Sequence, residues 1–223
     1  MVAQIKFLLL TVLCCLAVGS ASLGAKQKPL RQDQPELPAQ HLKVPLLSQA
    51  TDYSCGPAVV LAILRYWQTY DGNERSLHQA LGTDENKGTD PRRMAKVLAE
   101  HELTVEVKEG LTLADLREAL AKGITVVVSF QAWRDDERFK IPWKDNWEDG
   151  HYAVLIAMDD HRLYFMDPSA YDRYAYLSHS DFLDRWHDKE ETSAGEWRHQ
   201  HLGILVKGES PMKKFPLPLI HID

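Results

Sequence analysis

The chain has 223 residues, enough for one domain with a well-buried core and modest additions. Hydrophobic residues make up 44% of it and charged residues 26%, as in ordinary soluble globular proteins. The formal net charge is −6, and no stretch rich in Lys and Arg is available to neutralise phosphates, so we expect no nucleic acid as a partner.

The first 21 residues show the order of regions that is typical of secretory signal peptides. A lysine precedes an apolar run at residues 7–18, and small residues follow. This run is too short to span a bilayer comfortably, so residues 1–21 are predicted to be a signal peptide that is cleaved after Ala21. We therefore expect an exported protein, periplasmic or extracellular, with no stable membrane span once the signal is removed. The alternatives are an uncleaved anchor or a lipid on Cys14, although Leu13 stands where a lipoprotein needs a small residue.

Removal of this segment leaves a single thiol in the chain. Cys14 and Cys15 belong to the signal, and only Cys55 remains. A lone cysteine cannot form an internal disulfide, so the oxidising conditions of export give it no structural use. Cys55 is then either a small buried hydrophobic residue or a reactive thiol.

Composition and periodicity divide the rest of the chain into a lead-in, a folded region and a tail. Residues 22–41 are polar and rich in Pro, Gln and Lys, which indicates a flexible lead-in. Residues 208–223 are a C-terminal tail, whose segment Phe215-Pro-Leu-Pro-Leu-Ile is expected to be an extended strap, a disordered end or a docking segment. Helices come first and mostly antiparallel strands after, which is an α+β arrangement. Helices are predicted at 55–70, 76–81, 91–101, 112–122 and from Ser180 to Trp186, and strands at 44–47, 103–107, 124–130, 151–158, 162–166, 174–177 and 202–206.

Cys55 falls at the start of the first of these helices. A helix N-terminus carries a partial positive charge and unpaired N–H groups, and both favour a thiolate. The neighbouring Gly56 is predicted to leave room for a substrate backbone. Gln49 can supply a side-chain N–H that, with the backbone N–H of Cys55, would form an oxyanion hole. The residues around Cys55 therefore favour a nucleophilic thiol.

His151 is the candidate base for this nucleophile. It opens a buried strand, so its ring is expected at a strand end, and Asp167 follows the next strand. A hairpin between the two strands would bring the carboxylate beside the imidazole, where it can fix the ring's tautomer. The alternative is a surface or structurally satisfied histidine, since the chain contains ten histidines.

These residues stand in ordered segments that resemble the C39 family, papain-like peptidases best known for cutting leader peptides after a double glycine. The matching segments are Gln49-x5-Cys55-Gly56-Pro57-Ala58, Asp149-Gly150-His151-Tyr152, Tyr164-Phe165-Met166-Asp167-Pro168, Phe182-Leu183-x-Arg185-Trp186 and Leu202-Gly203-Ile204. The resemblance covers residues 42–207 and implies a papain-like cysteine peptidase fold, with N-terminal helices packed on a mostly antiparallel sheet.

The resemblance also implies a role for each member of the site. Cys55 would be the nucleophile, His151 the base and acid, Asp167 the group that orients the imidazole, and Gln49 a donor in the oxyanion hole. Ser54 departs from the family, because transporter-borne members usually carry an acidic residue there. No Gly-x4-Gly-Lys-Ser/Thr loop follows either, so the chain does not resemble the fused ATP-driven exporter, and cleavage after a double glycine is left open.

A tryptophan-rich segment at residues 131–150 precedes His151. It is either a surface loop whose tryptophans pack on the core or a rim over the cleft, so Trp133, Trp147 and Gly150 join Gly56 as candidate substrate-binding residues. His199 and His201 alternate on a predicted strand, but no third ligand is evident, so we predict no metal site and no cofactor.

Three functions are compatible with these residues. The first is an exported cysteine endopeptidase that cuts a peptide or protein, such as a component of a secretion system, through an acyl-enzyme. The second is an amidase or transferase that uses the same triad. The third is a C39-like binding module that holds a secretion partner without cutting it. The presence of a complete Cys-His-Asp set favours an enzyme.

Overall fold

The computed structural model describes residues 35–134, 140–192 and 195–214, and the architecture below is that of the unit Leu37–Asp223. Both the predicted signal peptide and most of the predicted lead-in lie outside the described residues, as does the tail from residue 215 onwards. In the described ranges the helices are α1 (Cys55–Tyr66), α2 (Glu74–Leu81), α3 (Pro91–Glu100), α4 (Leu113–Ala121) and α5 (His179–Arg185). The strands there are β1 (Thr104–Lys108), β2 (Thr125–Gln131), β3 (Gly150–Met158), β4 (Arg162–Met166), β5 (Ala175–Ser178), β6 (His187–Thr192), β7 (Gly195–Gln200) and β8 (Gly203–Lys207).

The strands form a central sheet and a separate ribbon. The central sheet has the order β1-β8-β2-β3-β4-β5, and every neighbouring pair in it is antiparallel. The ribbon pairs β6 with β7. The α+β class and the mostly antiparallel sheet predicted from the sequence are confirmed.

Helices cover both faces of the central sheet. Because side chains alternate along a strand, Tyr152, Val154 and Ile156 of β3 pack with α1, α2 and α3 on one face, while Ala153 and Leu155 pack with α4 and α5 on the other. The middle strands are therefore buried on both sides, and every residue of β2 is buried. This arrangement holds α1, which begins with Cys55, against β3, which carries His151 near its start.

Side-chain caps fix the beginnings of several helices. The Asp90 side chain accepts from the backbone N–H of Arg92 at the start of α3, and Thr112 forms a capping box with Asp115 at the start of α4. The sequence placed both starts within one residue. Helix α5 begins earlier than predicted, because Ser178 rather than Ser180 accepts from the N–H of Asp181.

Two further expectations differ from the structure. Residues 44–47 are not a strand, although Val44 is fully buried. Helix α1 ends at Tyr66, where Gln68 takes a positive φ of 59°, so the predicted extension to residue 70 is wrong. Strand β6 was not predicted, because its sequence is almost entirely polar. Within the predicted tail, Met212 donates its backbone N–H to the Tyr66 carbonyl at 2.6 Å, so this part runs as a strap along the domain.

Among the described residues, no helix is both long and apolar enough to cross a membrane.

Candidate active site

The turn before α1 positions Cys55 at the first residue of the helix. The Ser54 hydroxyl accepts from the Thr51 N–H at 2.9 Å, and the Ser54 N–H donates to the Thr51 carbonyl at 3.2 Å. The chain thus enters α1 from a closed turn, and the Cys55 N–H lies in the first turn, where helix N–H groups have no intrahelical partner. The thiol is largely buried, with 8% of the residue exposed, in the positive field of the helix N-terminus.

The hairpin of β3 and β4 brings His151 and Asp167 together, as the sequence predicted. His151 Nε2 lies 2.8 Å from Asp167 Oδ1, and both side chains are buried. The ring of Phe130, the cross-strand partner of His151 on β2, packs edge-on against the imidazole with the ring centroids 5.7 Å apart. The strand pairing and this aromatic contact fix the position of the imidazole.

Two further donors hold the Asp167 carboxylate. The Ser169 backbone N–H donates to Oδ1 at 2.8 Å, and the Trp133 indole N–H donates to Oδ2 at 3.1 Å. Each carboxylate oxygen is therefore held by a donor other than the histidine. This fixes the carboxylate in the plane needed to accept from the imidazole.

The same contacts determine the charge states of the pair. Burial by itself lowers the pKa of His151, but the charge of Asp167, its hydrogen bond and a hydrogen bond with Cys55 together raise that pKa to about 10. Burial by itself raises the pKa of Asp167, but the charge and hydrogen bond of His151, with the Ser169 and Trp133 donors, lower it below its ordinary value. The two shifts agree in favouring an imidazolium beside an ionised carboxylate.

The Cys55 thiol completes a chain of three groups. Cys55 and His151 line the same cleft, and the thiol is close enough to raise the pKa of the imidazole. Because Nε2 of the ring is occupied by Asp167, Nδ1 is the nitrogen that faces the sulfur. The result is a thiol, an imidazole and a carboxylate in line, an arrangement that can activate a thiolate and then return a proton to a leaving group.

The Gln49 amide lies in the segment just before this turn. Its Nε2 donates one N–H to the Thr51 carbonyl at 2.8 Å, and its Oε1 accepts from the Ser169 hydroxyl at 2.9 Å. The amide is thereby fixed in one orientation, with a second N–H on Nε2 that these bonds do not use. Ser169 connects both ends of the site, because its N–H holds Asp167 and its hydroxyl holds Gln49.

A cleft of about 340 Å³ opens beside Cys55 and His151. Gly150 and Trp147 line it, in agreement with their predicted place at the rim, and the Trp147 ring packs on His187 with the centroids 4.4 Å apart. Trp133 lies elsewhere: it is 59% exposed and lines a second cavity together with Asp167. Its contact with Asp167 makes it part of the carboxylate's surroundings rather than of the cleft.

Gly56 is buried, and the space beside it is already filled. A Cβ at this position would lie 2.4 Å from the Thr89 Oγ1 atom, so the missing side chain allows α1 to pack against Thr89. The prediction that Gly56 leaves room for a substrate backbone is therefore wrong. A glycine is needed here because Thr89 fills the space that a side chain would take. Thr89, and not Gly56, lines the cleft.

Comparison with known proteins decides the family. The model of the Peptidase_C39 like family matches residues 41–194, which is more than half of the chain. The chain belongs to the Peptidase_C39 like family. A comparison with curated protein sequences found no match.

Solved structures of C39-like peptidases share the fold of this family member at low sequence identity. A protein from Bacillus anthracis described as a C39-like peptidase is 15% identical, with a TM-score of 0.54 over 76% of this chain and 98% of its own. The peptidase domain of Streptococcus ComA, a bifunctional ABC transporter of a quorum-sensing pathway, is 14% identical, with a TM-score of 0.53 over 74% and 99%. A double-glycine-motif protease from an AMS/PCAT transporter, in complex with the leader peptide, is 12% identical, with a TM-score of 0.51 over 78% and 97%.

Two features of this C39-like site were not predicted from the sequence. Ser169 gave no signal beyond its place two residues after Asp167, where a turn after a strand often returns an N–H to a carboxylate. Asp188 of β6 lies in a polar segment without any sequence signal of burial, yet it is buried beside Gly150 at the base of the cleft.

No group of three or more His, Cys, Asp or Glu side chains in the described ranges is arranged to hold a metal ion. His199 is buried near Glu190, and the His201 ring stacks on Trp186 with the centroids 4.7 Å apart. The two histidines therefore contact different groups, His199 the Glu190 carboxylate and His201 the Trp186 ring.

Proposed function

We propose that this C39-like chain is an exported cysteine endopeptidase that hydrolyses a peptide bond through Cys55, His151 and Asp167. The observation that carries the proposal is the line of thiol, imidazole and carboxylate at the start of α1, with 2.8 Å between His151 Nε2 and Asp167 Oδ1. A protein that only binds a partner has no need of a buried carboxylate that raises the pKa of a histidine next to a thiol.

In the first half of the reaction, the Cys55 sulfur attacks the carbonyl carbon of the scissile bond. The developing negative charge on the carbonyl oxygen is stabilised by the backbone N–H of Cys55 and by the unused N–H of Gln49. The His151 imidazolium gives its Nδ1 proton to the leaving amine as the C–N bond breaks. The products of this half are a free amine and a thioester on Cys55.

In the second half, water replaces the amine. Neutral His151 removes a proton from the water as its oxygen attacks the thioester, and the carboxylic acid leaves as the Cys55 thiolate is restored beside the imidazolium. Asp167 keeps its negative charge throughout and stabilises the imidazolium at the start and the end of the cycle.

Two observations support an exported peptide or protein as the substrate. The relatives of known structure include the peptidase domain of an ABC transporter and a protease bound to a leader peptide. The N-terminal segment of this chain has the regions of a signal peptide. We therefore propose that the enzyme acts after export, in the periplasm or outside the cell, on a peptide or a component of a secretion system.

The test is to compare variants of the mature protein on an unbiased mixture of internally quenched peptides. We expect Cys55→Ala and His151→Ala to fold and to lose cleavage, because each removes a group that changes bonds or moves protons. His161→Ala is the matched control, since His161 is exposed on the turn after β3 and lies outside the site. Mass spectrometry of the products distinguishes hydrolysis from transfer to a second amine, the outcome expected of a transferase. Full rescue of a deletion strain by folded Cys55→Ala would favour the binding module instead.

A further inference from the structure

The ribbon of β6 and β7 presents a polar face to the rest of the domain. Asp188 and Glu190 alternate on β6, so they lie on the same face, and Asp188 pairs across the ribbon with His199 of β7. All three are at least nine-tenths buried. Strands that pack on a domain usually turn apolar side chains inward, so a buried row of ionisable groups requires another explanation.

Asp188 is held rigidly at the base of the cleft. Oδ2 accepts from the Ser129 hydroxyl at 3.0 Å, and Oδ1 accepts from the Gln131 side chain and the Lys189 N–H, both at 2.9 Å. Gly150 lies directly beside it, since a Cβ there would come within 2.5 Å of Oδ2. The carboxylate therefore reaches the cleft through the gap left by the residue that precedes His151.

Glu190 lies next to Asp188 in the same wall. Its Oε1 accepts from the Tyr152 hydroxyl at 2.7 Å and lies 3.7 Å from His199 Nε2. Both ring nitrogens of His199 are buried without a hydrogen-bond partner. The imidazole therefore lies near the Glu190 carboxylate but forms no hydrogen bond with it. In the described residues, Oε2 of Glu190 accepts no hydrogen bond, which leaves it available to a ligand.

The lysines of the cleft are engaged with other acids. Lys189 Nζ lies 2.6 Å from Glu148, and Lys87 Nζ lies 3.1 Å from Glu191. Neither ammonium pairs with Asp188 or Glu190 among the ion pairs of the described residues. Burial, reinforced by the charge of Glu190, raises the pKa of Asp188 to about 7. The wall thus carries two closely spaced carboxylates, and among the described residues neither pairs with a lysine or an arginine, while the imidazole of His199 lies 3.7 Å from Glu190.

We infer that Asp188 and Glu190 form an acidic subsite beside Cys55 that binds a Lys or Arg side chain of the peptide substrate. This inference rests on the proposed peptidase function and adds a substrate class to it. Asp188 and Glu190 line the same cleft of about 340 Å³ as Cys55, which has room for such a side chain with its charged end at the carboxylates. A basic side chain supplies the N–H donors that the free oxygen of Glu190 lacks.

The test uses internally quenched peptides with acetylated N-termini, so that the only added cation is a side chain. Each of the three positions on either side of the scissile bond is made Lys, norleucine or Glu in turn, and kcat/KM is measured. We expect one position at which Lys exceeds norleucine by roughly 10- to 100-fold, as for a hydrogen bond to a charged group, and at which Glu is poorest. Glu190→Gln should reduce this ratio to within about threefold of one, because the charge is removed while the Tyr152 contact is kept.

Controls separate this inference from the proposed function and from loss of structure. Glu118→Gln removes the same charge from the exposed side of α4, outside the cleft, and should leave the ratio of Lys to norleucine cleavage unchanged. Asp188→Asn is the second subsite variant. Its ratio of kcat/KM for the Lys and norleucine peptides is informative even if stability falls, because misfolding lowers both values equally. Cleavage that depends on Cys55 but does not distinguish Lys from norleucine at any position would overturn the subsite alone. Absence of Cys55-dependent cleavage across all peptides would overturn the proposed function and the subsite together.

Discussion

Replacing Asp167 with asparagine separates the charge of this carboxylate from its role as a hydrogen-bond acceptor. In the structure Oδ1 accepts from His151 and from the Ser169 N–H, and Oδ2 accepts from the Trp133 indole. An asparagine can keep its oxygen at the Oδ1 position and retain the first two bonds. Only the contact with Trp133 is lost, because the amide NH₂ then faces another donor.

The size of the effect follows from the charge that is removed. For the buried His151 ring, a rise in pKa from 6.5 to about 10 corresponds to about 5 kcal/mol in favour of the protonated form. The charge of Asp167 is the largest of the causes that raise this pKa. An adjacent opposite charge typically shifts a pKa by about 1–3, so we assign roughly 2–3 kcal/mol to the charge of Asp167. Losing that stabilisation should lower kcat/KM by roughly 30- to 150-fold. This is less than the fall of about 10⁴ in a serine peptidase whose histidine is forced into the wrong tautomer.

The assay compares kcat/KM for the wild type, Asp167→Asn and Asp167→Ala, with circular dichroism as a check on folding. Asp167→Ala should be the weaker enzyme, because it loses the acceptor as well as the charge. A titration of the His151 ring by ¹⁵N NMR should show a lowered pKa in Asp167→Asn. Wild-type activity in folded Asp167→Asn would refute the electrostatic reasoning, and so would an unchanged pKa of His151.

The raised pKa of His151 predicts that its contribution to the free energy of unfolding is complete below about pH 6.5, shrinks as the pH rises and is lost at about pH 10. Urea unfolding of the wild type and His151→Ala between these limits checks this, and a difference that grows with pH would contradict it. Gln49→Ala should lower kcat on the order of 10²–10³-fold through loss of an oxyanion donor, whereas an unchanged kcat would remove Gln49 from the site. Gly56→Ala should destabilise the fold by about 1–3 kcal/mol, because its Cβ meets Thr89 Oγ1 at 2.4 Å, and equal urea midpoints would argue against that packing. The exported protein should begin at Ser22 by intact mass, and a longer or lipid-bearing chain would contradict cleavage after Ala21.

The parts of the fold that the sequence predicted well are those with local signals. The helices predicted from residues 91 and 112 begin within one residue of those positions in the structure, where Asp90 and Thr112 are the caps. Strand β6 has the opposite character, since its inward positions are Asp188 and Glu190 rather than apolar residues. Nothing in such a segment distinguishes a buried strand from a polar loop, because the reason for its burial lies in contacts with β2 and β3.

The same distinction, between local signals and contacts distant in sequence, applies to the candidate active site. The positions of His151 and Asp167 follow from one hairpin, so their proximity could be predicted from strand order alone. The donors that hold Asp167 could not, because Trp133 comes from a loop distant in sequence and adopts a positive φ of 55°. Gly56 was misread since the side chain that fills its space, Thr89, belongs to the segment before α3.

The thioester on Cys55 is the intermediate on which the proposed reaction depends, and it can be observed directly. Wild-type protein is mixed with a peptide that it cleaves, quenched in acid within milliseconds, and examined by intact mass and by digestion. We expect an added mass equal to the acyl part of the N-terminal product, attached to Cys55 and absent from Cys55→Ala. Cleavage of the same peptide by folded Cys55→Ala, or an acyl group mapped to another residue, would contradict the assignment of Cys55 as the nucleophile.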